Sequence, residues 1–226
     1  MVTGSFIAEK LQASPNTRNR IAGVAGKFVV PFVVLLILFA LDYPLRAAVR
    51  HQQAPFLDHF FDIIKYSGNV NVGFSLAFVL IGLGKFASRT RLLRVGKLML
   101  ISLIISNVVV LVAKPLLDIH PRNDFYAAAQ QHPQEERWGR FPSGDTTVAF
   151  SIIASLAAEF PPLLIPCYAL GVLVGVERVY FNLHFFSDVF AGAWLGIVVV
   201  NVLRQKYFSI KAEAIESDWK ETPAPL

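Results

Sequence analysis

Residues 97–114 read Lys97-LMLISLIISNVVVLVA-Lys114, an uncharged run closed at each end by a lysine. A helix needs about 20 mostly apolar residues to cross the hydrocarbon core of a membrane. With its flanks this stretch reaches that length. Five further segments have the same character, at about residues 28–41, 70–86, 146–160, 163–176 and 189–203. The expected fold is therefore all-α: a polytopic membrane protein built as a six-transmembrane-helix bundle. It divides into an amino-terminal segment at 1–26, a membrane domain at 27–205 and a polar tail at 206–226.

Composition agrees. Of the 226 residues 54% are hydrophobic and 16% charged, too few charges for the polar skin of a soluble domain. The single cysteine, Cys167, lies inside an apolar run, which excludes a disulfide within the chain. The net charge of +5 gathers at the ends of the apolar runs and not on a face interleaved with aromatics. That distribution argues against nucleic acid as a partner. The first apolar run ends at Asp42-Tyr43-Pro44 with no small-x-small cleavage pattern after it. It reads as a retained helix and not as a removed signal.

Orientation follows from lysine and arginine. Lys10, Arg18, Arg20 and Lys27 precede the first segment; Lys85, Arg89, Arg91, Arg94 and Lys97 link the second and third; Arg204, Lys206 and Lys211 follow the sixth. Six crossings put these clusters on one side, which the rule makes cytoplasmic, with both termini. The connections at 50–68, 114–144 and 179–187 then face outward. No lysine, arginine, aspartate or glutamate falls at mid-depth in the expected helices, which disfavours a proton-coupled transporter.

Nearly all the potential chemistry lies in the outward connections. Lys114 precedes His120-Pro121-Arg122-Asn123; Phe141-Pro142-Ser143-Gly144-Asp145-Thr146 opens the fourth segment; Arg178, His184 and Asp188 span the junction of the last two. Lys114, Arg122 and Arg178 are three cations, two of them guanidinium forks suited to phosphate oxygens. Ser143 and Gly144 stand at a helix start, where unpaired amides favour an anion. His184 and Asp188 are four apart, one face of a helical turn. A carboxylate there can hold one imidazole nitrogen protonated and leave the other as nucleophile. Each piece alone has a duller meaning: a snorkelling lysine, a helix cap, a local hydrogen bond. Their convergence on one membrane face points to phosphoryl transfer. His120, Asp124, His132, Asp145, His184 and Asp188 lack the close ligand pairing of a zinc site, so no metal is expected.

These residues resemble the type 2 phosphatidate phosphatase superfamily, which includes membrane lipid phosphatases and vanadium haloperoxidases. The family pattern runs from a lysine to Arg-Pro, then Pro-Ser-Gly-His, then Ser-Arg, five residues, His, three residues, Asp. Here the third motif keeps its Arg178–His184–Asp188 spacing. The resemblance implies that His184 attacks phosphorus and becomes a phosphohistidine, oriented by Asp188. Lys114, Arg122, Arg178, Ser143 and the Gly144 amide would bind the phosphate, with no metal or organic cofactor.

Three departures stand out. The Lys114–Arg122 spacing is one residue long, and Asn123 replaces a proline. Glu177 replaces the serine before Arg178, a change expected to matter little for the chemistry. Asp145 replaces the histidine that protonates the leaving group. An aspartate suits a leaving group that needs little protonation, such as an anomeric sugar phosphate or a diphosphate; His120 or His132 is the alternative acid. On that basis lipid A 1-phosphate ranks first as substrate, then undecaprenyl diphosphate, then phosphatidylglycerophosphate or phosphatidate. The rival readings are a lipid phosphotransferase using the same phosphohistidine, and an inactive lipid-binding relative. Tyr126, Trp138, Tyr180, Phe185 and Phe186 fit an acyl-chain entrance or plain interfacial anchoring. The expected partners are the lipid phosphate substrate and membrane lipids, in a bacterial inner membrane with the site periplasmic; the oligomeric state is open.

Overall fold

The computed structural model describes residues 15–50, 54–117 and 141–221, with side chains over 26–49, 54–117 and 141–206. Every regular element among them is helical. They are α1 (Pro15–Arg50), α2 (Pro55–Ile64) continued by a 3-10 turn (Lys65–Gly68), α3 (Val70–Phe86) and α4 (Thr90–Leu116). After residue 140 come α5 (Gly144–Glu159), a 3-10 turn (Pro161–Leu163), α6 (Leu164–Tyr180) and α7 (Phe186–Glu221). All six expected segments lie on helices, and the chain is an all-α integral membrane bundle.

By length and apolar composition alone, fewer than six segments qualify as spans. Gly26–Val49, Thr90–Leu116, Pro161–Tyr180 and Phe186–Lys206 are long and apolar enough to span, and α2 with α3, bent by 53° where they meet, make a broken fifth. The segment left over is α5. Its 16 residues extend roughly 24 Å at 1.5 Å per residue, short of a core about 30 Å thick. Thr146 to Ser155 are all buried, so α5 is shielded by other helices. Two boundaries also move. α1 runs through Asp42 and Pro44 to Arg50 and does not stop near residue 41, while α7 continues past 205 to Glu221.

The chain forms two compact units, 1–40 and 41–226. The described part of the first is the start of α1, with Phe28, Val30, Phe32 and Ile37 exposed as a lipid-facing span requires. The second shows why membrane helices pack as they do. Along α4 the residues turned inward include Ser102, Ser106 and Val110, while Ile101, Ile104, Ile105, Val108 and Val109 face out. Lipid is as apolar as isoleucine, so burying aliphatic side chains gains little there. Close approach and interhelical hydrogen bonds hold the bundle instead. Ser106 and Ser151 hydroxyls meet at 3.1 Å, and Ser102 and Ser155 at 3.4 Å, joining α4 to α5. An apolar cluster of Ala77, Val95, Met99, Leu103, Val148 and Ile152 fills the space between α3, α4 and α5.

Close approach is tightest between α5 and α7. A methyl group on Gly192 would stand 2.4 Å from the Ser143 carbonyl oxygen, and one on Gly196 would stand 2.7 Å from that of Thr147. Backbone carbonyls cannot swing aside as side chains do. Gly192→Ala is expected to destabilise the protein in detergent by about 1–3 kcal/mol, the usual cost of overpacking. Gly82→Ala is the control, since nothing lies within 4 Å of its added carbon; there alanine should be neutral or slightly stabilising. Thermal unfolding of the two variants side by side reads the difference.

Candidate active site

The site lies where α5 begins, α6 ends and α7 begins. Pro142 follows a cis peptide bond, and Ser143 is the N-cap of α5. The Ser143 hydroxyl pairs with that of Thr146 at 2.9 Å and makes no side-chain bond to the helix amides. Its carbonyl accepts from the Thr147 amide at 3.1 Å and the Thr147 hydroxyl at 2.8 Å. Its amide donates to the Asp188 carbonyl at 3.0 Å, tying the start of α5 to the start of α7.

Helix α6 ends at Tyr180, and Asn182 turns the chain through a left-handed conformation (φ 62°), which asparagine tolerates better than most residues. The amides of Leu183 and His184 return to the Arg178 carbonyl at 2.9 and 3.2 Å, so the arginine and histidine are tied through the backbone. His184 Nδ1 faces Asp188 Oδ2 at 3.4 Å, and both side chains are buried. That Oδ2 also accepts from the Phe185 amide at 2.9 Å. The carboxylate is thus fixed against one edge of the imidazole, and Nε2 remains on the other edge.

Arg178 is almost fully buried and lies between two carboxylates. Glu177, completely buried, holds it by two bonds, from Nε at 2.5 Å and from Nη2 at 2.9 Å. Asp145 takes Nη1 at 2.5 Å, and its side chain is 35% exposed. The difference in exposure separates them: Glu177 is a fixed support, whereas Asp145 borders open space. The turn ending at Gly68 backs Asp145, since a methyl group on Gly68 would meet the Asp145 carbonyl oxygen at 3.0 Å.

Of the expected site residues, Ser143, Gly144, Asp145, Arg178, His184 and Asp188 come together. Lys114 stands half-buried in the last turn of α4. It is one turn past Val110, whose side chain is the nearest neighbour of Gly144, so it shares the α4 face that looks toward the α5 start. Arg122, His120, Asp124, His132, Tyr126 and Trp138 lie outside the described residues. Among those described, no group of three potential metal ligands forms.

Sequence reasoning missed part of the surroundings. Glu177, read as a minor change, grips the phosphate-binding arginine expected from the motif. Asp42, Tyr43 and Arg46 reach the turn that carries His184. One signal was available, since ionisable residues at i and i+4 at the end of a membrane helix generally have a purpose.

Two solved structures share this architecture. One is the transmembrane PAP2-type phosphatidylglycerolphosphate phosphatase of Bacillus subtilis, with a TM-score of 0.62, 23% identity, 82% of this chain and 98% of the other covered. The second is Aquifex aeolicus LpxE, with a TM-score of 0.53, 26% identity and coverage of 72% and 93%. No curated protein matches the sequence. The sequence profile of the PAP2 superfamily matches residues 95–211, more than half of the chain and all of the site residues expected from the sequence, and the protein belongs to that superfamily.

Proposed function

We propose that this protein removes phosphate from a membrane lipid by way of a phosphohistidine on His184. The observation that carries the reading is the meeting of the His184–Asp188 pair, Arg178 and the α5 start at one buried end of the bundle. In the first step the arriving phosphate dianion displaces Asp145 from Arg178, and the carboxylate takes up a proton. The Nε2–phosphorus bond then forms as the bond from phosphorus to the leaving oxygen breaks, and Asp145 gives that oxygen its proton. Asp188 stabilises the positive imidazole. Arg178, Lys114 and Arg122 balance charge on the phosphoryl oxygens, with Ser143 and the Gly144 amide alongside. In the second step water oxygen attacks phosphorus as the nitrogen–phosphorus bond breaks. The water protons leave with inorganic phosphate or pass to solvent, and Asp145 is reprotonated from solvent when the next phosphate arrives.

The substrate that best suits an aspartate acid is lipid A 1-phosphate, whose anomeric oxygen leaves readily. Undecaprenyl diphosphate and phosphatidylglycerophosphate are the alternatives, the latter also favoured by the fold shared with the Bacillus subtilis enzyme. The basic clusters argue for cytoplasmic termini, a membrane domain over 27–205 and a periplasmic site in a bacterial inner membrane.

The test is phosphate release by the purified protein in detergent from lipid A, undecaprenyl diphosphate, phosphatidylglycerophosphate and phosphatidate, beside His184→Ala. Release from one lipid that vanishes in the variant supports the reading and selects the substrate. Release that persists in the variant overturns it. Loss of lipid phosphate without free phosphate, dependent on a second lipid, indicates transfer instead of hydrolysis.

A further inference from the structure

Asp42 is completely buried, yet it is an aspartate on a helix whose neighbouring residues are apolar. One carboxylate oxygen accepts from the Ser187 amide at 3.0 Å and the other from the Ser187 hydroxyl at 2.5 Å. Ser187 stands in the first turn of α7, where amides lack partners within the helix and the helix dipole favours an anion. One turn along α1, Arg46 donates from Nε to the Asn182 side-chain oxygen. Its guanidinium lies 5.0 Å from the centre of the Phe185 ring. Tyr43, between them, brings its ring within 5.3 Å of the same phenylalanine.

Three residues of α1 therefore grip Asn182, Phe185 and Ser187, positions on both sides of His184. The turn itself contributes the backbone bonds of residues 183 and 184 to Arg178 and the Phe185 amide bond to Asp188. These fix the ends of the turn, while α1 fixes its outer side. A leucine at position 42 or 46 would suit a membrane helix better, because burying charge is costly unless its partners are specific. The α1 residues also lie outside the stretch matched by the superfamily profile.

We propose that Asp42 and Arg46, with Tyr43, are positioning residues: they hold the 182–187 turn so that the His184 imidazole keeps its aim at phosphorus. The inference rests on His184 being the nucleophile. Asp42 acts through Ser187 and Arg46 through Asn182 and Phe185, and none of the three touches the reacting atoms.

The experiment uses the full chain in detergent with p-nitrophenyl phosphate, whose phenolate leaves without a proton and so bypasses Asp145. Asp42→Asn, Ser187→Ala, the double variant and His184→Ala are compared for kcat, KM and thermal midpoint. Asp42→Asn should lower kcat about tenfold, the scale on which small misplacement of a reacting group is felt, with KM within about twofold. The double variant should be no slower than the slower single variant, because the two residues share one contact. Wild-type kcat in Asp42→Asn with a dead His184→Ala overturns the positioning role and leaves the nucleophile standing. So does a double variant whose losses multiply, or a kcat loss that tracks loss of folded protein. Activity in His184→Ala overturns the nucleophile reading itself. If Asp42→Asn does not fold, Ser187→Ala decides alone: reduced kcat supports the role and wild-type kcat overturns it.

Discussion

His184→Ala is expected to reduce phosphate release by about 10³-fold or more, the scale seen when a covalent catalyst loses its nucleophile. No other described group is ready to replace it. The Ser143 hydroxyl is buried against Thr146, and Cys167 lies near the beginning of α6, at the opposite end from Arg178. The variant should still fold, since the turn keeps its backbone bonds to Arg178 and its contacts with α1. Size-exclusion behaviour and thermal midpoint check that point. Trapping after a short incubation with radiolabelled lipid phosphate provides the direct measurement: label retained by wild type under alkaline conditions, and absent from the variant, identifies the phosphohistidine. Label retained in the variant places the nucleophile elsewhere.

Asp145→Asn separates substrates by what their leaving groups need. Asparagine can still accept the Arg178 hydrogen bond through its amide oxygen, so the guanidinium should stay where it is. It has no proton to give. General acid catalysis contributes about 10²–10⁴-fold where the leaving oxygen is strongly basic. Phosphatidate or another alkyl phosphate should therefore lose about that much kcat in the variant. A diphosphate or an anomeric phosphate should lose far less. The variant also removes a negative charge that competes with phosphate for Arg178, so KM should stay level or fall. Equal kcat losses for both kinds of substrate would sink the proposed role of Asp145 and leave His120 or His132 as the source of the proton.

Much of the fold was legible because hydropathy is local. Each apolar run needs no knowledge of its neighbours to be recognised as a helix. The limits were local too. Thr146, Thr147, Ser151 and Ser155 dilute α5, and only the assembled bundle shows that these hydroxyls face inward among other helices. Asp42-Tyr43-Pro44 looks like a stop, but a helix flank can carry an aspartate whose partner is 145 residues away in sequence. Helix α2 opens with Pro55 in its first turn, a favoured position, but its ten residues are too few to register as a span. The motif spacing disclosed His184, Asp188 and Arg178 because those residues sit on one turn and its flanks. It was silent about Glu177, whose weight comes entirely from where its carboxylate points.

On the proposed mechanism, that carboxylate bears on how the phosphate product leaves. Glu177 occupies the Nε and Nη2 side of Arg178 and sets a buried carboxylate against its charge. A fully charged, unsupported arginine would hold inorganic phosphate as readily as it holds the phosphate of a lipid. With its charge opposed in advance, Arg178 in its proposed role would direct a phosphoryl group without retaining the free anion. Attachment of the lipid would then depend on its hydrocarbon and headgroup, which would leave with the first product, and the free phosphate would have little reason to stay.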